Sequence, residues 1–84
     1  MKYYFVTFRS VTYAQRGESL LRNAGIRCAV QRTPKWMEEQ GCGYRLRLYD
    51  RDLPKALELL RQKQVAFRKI YQQRETGDVE EVAL

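Results

Sequence analysis

The order strand, helix, strand, strand, helix, strand predicts an α+β fold, a ferredoxin-like βαββαβ sandwich with a four-stranded antiparallel sheet and two helices on one face. Three observations carry that expectation. Apolar residues alternate with polar ones at Ile26, Cys28 and Val30 and again at Tyr44, Leu46 and Leu48, the period of a strand. Steps of three and four link Tyr13, Ala14, Gly17, Leu20, Leu21 and Ala24, and then Leu53, Ala56, Leu57 and Leu60, the stripe of an amphipathic helix. Finally, 84 residues that are 44% hydrophobic and 31% charged suit one small soluble domain with a modest core.

Tyr3 to Phe8 is a dense aromatic and β-branched run and forms the first strand. Ser10 or Thr12 caps the first helix, which runs from about Val11 to Ala24 and stops at Gly25, a residue suited to a left-handed terminus. The second strand turns Cys28 inward with the aliphatic residues, where a cysteine behaves as a small hydrophobe. The third strand has an apolar face and a basic face, the latter carrying Arg45, Arg47 and Tyr49. Asp50 or Asp52 caps the second helix, Pro54 fits its first turn, and the helix ends around Lys63 and Gln64. Val65 to Tyr71 reads as the fourth strand. The domain is expected to span residues 1–73, followed by an acidic C-terminal tail over 74–84.

Charge and residue types narrow the chemistry. There are 16 basic and 10 acidic residues, a net +6; four of the acids fall within 75–84, which has no Lys or Arg, so the rest of the chain carries 16 against 6, or +10. Such a body suits an acidic partner. The chain has no histidine. Ser-His and Cys-His nucleophile pairs, histidine bases and most zinc sites are thereby excluded. No metal and no cofactor is expected: Glu38 and Glu39 are adjacent carboxylates without metal-ligand spacing, and Gly41-Cys42-Gly43 is too short for a dinucleotide fingerprint. Arg9 ends the N-terminal apolar run before it can resemble a signal peptide, and no apolar stretch approaches the roughly 20 residues that span a bilayer. A cytoplasmic protein with both cysteines as thiols is expected.

Thr33 to Gly43 separates two strands by far more than the two to five residues or so that a hairpin needs. Within it lies Cys42, between two glycines. In the expected fold the end of the first strand and this loop leave the same edge of the sheet, bringing Arg9, Ser10 and the first helix N-terminus alongside Thr33, Gly41, Cys42 and Gly43. A cysteine near an arginine and a helix N-terminus favours the thiolate. Glycines on either side leave the sulfur uncrowded and their N–H groups open to an anion or persulfide. If Arg32 faces Tyr44, Cys28 faces Leu48 and Cys42 lies about six residues away along the third strand, at about 3.3 Å each. That exceeds the roughly 7 Å Cα limit for a disulfide, so an external thiol would resolve any adduct on Cys42.

Several stretches together resemble a known family. They are Tyr4-Phe5-Val6-Thr7-Phe8-Arg9-Ser10-Val11-Thr12, the helix end Leu20-Leu21-Arg22-Asn23-Ala24-Gly25-Ile26, Thr33-Pro34, Cys42-Gly43 and Asp52-Leu53-Pro54-Lys55-Ala56-Leu57. Over roughly residues 3–71 they resemble the Se/S carrier protein-like domains. The resemblance implies a bacterial carrier more than an enzyme, with Cys42 holding sulfur or selenium as a persulfide or selenopersulfide. It also implies a donor protein such as a cysteine desulfurase and an acceptor protein. Glu39-Gln40-Gly41 stands where the family leads one to expect small hydroxyl residues before the cysteine.

Two further readings compete. Arg45, Arg47, Tyr49, Lys69 and Tyr71 offer the basic and aromatic groups of an RRM-like single-stranded nucleic-acid-binding module, although Gly43-Tyr44-Arg45-Leu46 shares only the Gly-aromatic start of the RNP1 pattern. Alternatively, the open sheet face with Tyr3, Phe5 and Tyr49 packs on a second copy as a dimeric interaction module.

Overall fold

The computed structural model describes residues 2–34, 43–74 and 76–82. Cys42 and Gly41 lie outside the described residues, as do Trp36, Met37, Glu38, Glu39 and Glu75. The elements run β1 (Tyr3–Phe8), α1 (Val11–Asn23), β2 (Cys28–Arg32), β3 (Tyr44–Tyr49), a 3₁₀ turn (Asp50–Asp52), α2 (Leu53–Gln62), β4 (Ile70–Gln73) and β5 (Val79–Glu81). This is an α+β arrangement of two helices and an antiparallel sheet in the order β2-β3-β1-β4-β5. The expectation of four strands is corrected to five. β5 forms within the acidic segment, where Glu81 faces Tyr71 and Val79 faces Gln73.

Local chemistry explains where the helices begin and end. The Ser10 hydroxyl caps α1 by accepting from the Tyr13 N–H at 3.4 Å. At its other end, Gly25 adopts φ +82°, its N–H donates to Arg22 O and the Ile26 N–H to Leu21 O, closing a Schellman motif. α2 closes in the same way with Gln64 at φ 57°, donating to Arg61 O while Val65 donates to Leu60 O. Asp52 takes the expected N-cap position of α2, though its side chain makes no capping bond, and Asp50 belongs to the 3₁₀ turn.

The alternation of β1 and β3 divides the sheet into two faces. Val6, Phe8, Leu46, Leu48, Cys28 and Ile70 point to one side and form a single core with Ala14 and Leu21 of α1 and Leu53, Ala56, Leu57 and Leu60 of α2. Both helices therefore cover the same sheet face. Gly17 allows α1 close to the sheet: a Cβ there would meet Leu46 Cδ1 at 3.1 Å and Phe8 Cζ at 3.2 Å, and both residues are fully buried. On the other face Phe5 and Tyr71 form a second, smaller cluster, with Tyr3 and Val79 packed against it.

The fourth strand starts at Ile70, later than the expected Val65. The cause lies in Thr7, which is faced by two residues instead of one. The Thr7 N–H donates to Lys69 O at 2.9 Å, Arg68 N–H donates to Thr7 O at 2.8 Å, and Lys69 N–H donates to the Thr7 hydroxyl at 3.0 Å. These bonds tie the chain before Ile70 to β1 without a regular ladder.

Candidate functional site

Three strand ends lie abreast at one end of the sheet. Tyr44, the first residue of β3, faces Phe8, the last of β1, on one side and Arg32, the last of β2, on the other. The next residue on each chain is consequently brought to the same place: Arg9 and Ser10 beyond β1, Thr33 and Pro34 beyond β2, and Gly43 before β3. The Thr33 N–H donates to Gly43 O at 2.9 Å, which carries the β2–β3 ladder one step past the strands. With β3 between them, the ends of β1 and β2 stand about 10 Å apart. Arg9 is exposed, Ser10 is half-buried and engaged in the α1 cap, and Thr33 and Gly43 are buried.

Thr33 stands out. It is 5% exposed, and its hydroxyl has no hydrogen-bond partner among the described residues. A buried hydroxyl left without a partner is destabilising, so a native one calls for an explanation in function or in a bound group. The sequence placed Thr33 at this end of the fold, but the unpartnered state of its hydroxyl depends on tertiary burial that no local pattern contains.

Cys28 belongs to the core, as its position in the alternation predicted. It faces Leu48 while Arg32 faces Tyr44, the register on which the argument against a disulfide was conditional. The thiol lies 3.8 Å from the Glu18 carbonyl, which it is placed to donate to. Burial pushes its pKa up, the Glu18 carboxylate raises it further, and the Arg22 guanidinium opposes both. A thiol held protonated and covered is a poor nucleophile.

The face of the sheet opposite the helices is built differently from the nucleic-acid reading. Tyr71 is 6% exposed and Phe5 3%, so neither offers an open ring. Arg45 lies over the Phe5 ring at 4.0 Å, Arg47 over Tyr3 at 4.9 Å and Arg51 over Tyr49 at 5.3 Å, while the Tyr3 and Tyr49 rings stack at 5.3 Å. Burial lowers the Arg45 pKa, and the neighbouring Arg47 charge lowers it further. Arg51 was not singled out from the sequence, because it falls after the strand whose alternation identified Arg45 and Arg47.

Among the described residues no group of three or more His, Cys, Asp or Glu side chains is placed to hold a metal ion, and no helix is long and apolar enough to cross a membrane. The profile of the protein family described as "Putative Se/S carrier protein-like" matches residues 3–72. No curated protein matches the chain.

Proposed function

Because the chain belongs to the Se/S carrier protein-like family, whose profile spans residues 3–72, we propose that it carries sulfur or selenium on Cys42 as a persulfide or selenopersulfide. The family match is the observation that carries this reading. The burial of Cys28 supports it, since the other thiol of the chain is covered, protonated and part of the core. Arg9, Ser10, Thr33, Gly41 and Gly43 are its supporting residues, the first three and Gly43 standing at the sheet end from which the Cys42 loop departs. We read the architecture as ferredoxin-like, with β5 added at one edge of the order β2-β3-β1-β4.

The loading step needs no cofactor. The Cys42 thiolate attacks the terminal sulfur of a persulfide on a donor protein, such as a cysteine desulfurase. A new S–S bond forms to Cys42 as the donor's S–S bond breaks, and the donor cysteine leaves as a thiolate with the electron pair. Delivery repeats the exchange, with a nucleophile of the acceptor protein taking the outer sulfur and Cys42 leaving as the thiolate. With selenium as cargo the thiolate attacks the terminal selenium, and one S–Se bond forms as another breaks.

Intact-mass analysis after incubation with a cysteine desulfurase and cysteine tests this directly. A one-sulfur increment is expected in the native protein and in Cys28→Ala, and none in Cys42→Ala. No increment on the native protein, or an increment that survives Cys42→Ala, would remove the carrier reading.

A further inference from the structure

The sheet face turned away from the helices carries neither of the chain's thiols on β1, β2 or β3. β1, β2 and β3 place no acidic residue on it. Arg47 and Arg51 are exposed, each lies over a tyrosine ring, and neither has a carboxylate partner among the described residues. With Arg27 and Ala29 at the β2 edge, Arg47 and the Tyr3–Tyr49 pair line a hollow of about 230 Å³. Asp50 and Asp52 flank Arg51 in the 3₁₀ turn without an ion pair to it, and at the far edge of the sheet Glu81 pairs with Lys69 at 3.5 Å and Glu80 with Arg74.

A guanidinium held over a ring face is attracted by the ring's quadrupole and still has N–H groups to spare for a carboxylate, which it can grip with two parallel bonds. Stacking also holds the side chain in place before a ligand arrives, which reduces the entropy lost on binding. The same arrangement disfavours the two other occupants. A nucleobase needs an open ring to stack on, and here Phe5 and Tyr71 are buried while Tyr3 and Tyr49 stack on each other under arginines. A second copy placed face to face would set arginine against arginine.

We propose that this face docks an acidic segment of a partner protein, whose Asp and Glu carboxylates pair with Arg47, Arg51 and Arg27. The inference does not rest on the carrier reading, because it involves no thiol.

The test is an NMR titration of the ¹⁵N-labelled protein, at low and moderate salt, with a short peptide of alternating Glu and Ser and with a charge-matched oligothymidylate. Peptide-induced shifts are expected at Tyr3, Arg47 and Tyr49, fading with salt. The exposed pair Arg47→Gln/Arg51→Gln should weaken peptide binding by about tenfold. Arg61→Gln/Lys63→Gln at the C-terminal end of α2, of equal charge change, should alter it less than about twofold. The proposal is overturned by an oligonucleotide that binds as tightly as the peptide, by equal weakening in the α2 variant, by self-association mapped to this face, or by no binding at low salt. Peptide binding that persists in Cys42→Ala, even if that variant and the native protein both fail to load sulfur, would leave this proposal standing while the carrier reading falls.

Discussion

Thr33 is where stability and use pull apart most clearly. Its hydroxyl is buried without a partner among the described residues, at the sheet end where Arg9, Ser10 and Gly43 also lie. Replacing it with the near-isosteric valine removes an unsatisfied oxygen and leaves the packing volume almost unchanged. Thr33→Val is therefore expected to be neutral or to raise stability by up to about 1 kcal/mol in urea unfolding. If the hydroxyl serves the loaded loop, the same variant accumulates less persulfide under a fixed dose of donor. A stability loss above about 1 kcal/mol would instead mean that the hydroxyl is satisfied in the folded protein and that its interest for the site disappears.

At the scale of elements, the exposed edge of the sheet at β2 is guarded by α1. The Glu18 carboxylate accepts from the Val30 N–H at 3.4 Å, and Arg22 donates to the Cys28 carbonyl at 3.2 Å. Glu18 and Arg22 also pair with each other at 3.5 Å, one helical turn apart. Two backbone groups of an edge strand are thus covered by side chains of the neighbouring helix, which blocks strand addition there. The pair also brackets the Cys28 thiol with opposite charges, so its two members should move that thiol in opposite directions. Glu18→Gln removes the charge that helps to hold Cys28 protonated, and its titration should shift to lower pH. Arg22→Gln removes the opposing charge, and the titration should shift to higher pH. Followed by pH-dependent alkylation of Cys28 in the Cys42→Ala background, shifts of the same sign in both variants would refute this account. Glu18→Gln should also speed hydrogen exchange at Val30, since a neutral amide oxygen is the weaker acceptor.

For the whole molecule, the parts legible in the sequence were those governed by a repeating physical rule. Alternation in Ile26–Val30 and Tyr44–Leu48 was enough to turn Cys28 inward and to place Arg45 and Arg47 on the opposite face, while the pairing of Cys28 with Leu48 could be stated only conditionally, because alternation fixes a face and not a register. Helix stripes and Gly25 located α1 to within a residue of its end at Asn23. What was missed depends on tertiary contacts that no local pattern contains. Val65 to Lys69 looks like a strand, but Val65 closes the end of α2 and only Arg68 and Lys69 are held against β1, by the Thr7 double contact; the arginine stacking likewise depends on which rings cross-strand pairing brings under which side chains. β5 is the sharpest case, because Val79-Glu80-Glu81 is three residues long and mostly charged, and composition alone assigns such a stretch to solvent.

β5 is more than an ornament on that edge. Val79 packs against the Phe5 and Tyr71 cluster, Val82 packs against the main core, and the Val82 N–H donates to Ile70 O at 2.8 Å. Arg74 bonds the Glu80 carboxylate and Lys69 pairs with Glu81, but these contacts are exposed and contribute little. The apolar contribution dominates: two partly buried valines and the cover over Tyr71 are offset by the entropy of ordering a short segment, leaving a net of about 2 kcal/mol. Removing residues 74–84 should accordingly lower the urea midpoint, and Val82→Asp alone should reproduce much of the loss. Truncation should also bare the β4 edge beside a now exposed Tyr71, so the shortened protein is expected to associate with increasing concentration in light scattering. Neutralising Glu80 and Glu81 together should leave the midpoint within about 0.5 kcal/mol of the native protein. A truncated protein with an unchanged midpoint would mean that β5 adds no stability to the sheet. A large effect of the Glu80 and Glu81 changes would mean that charge, and not the valines, holds it there.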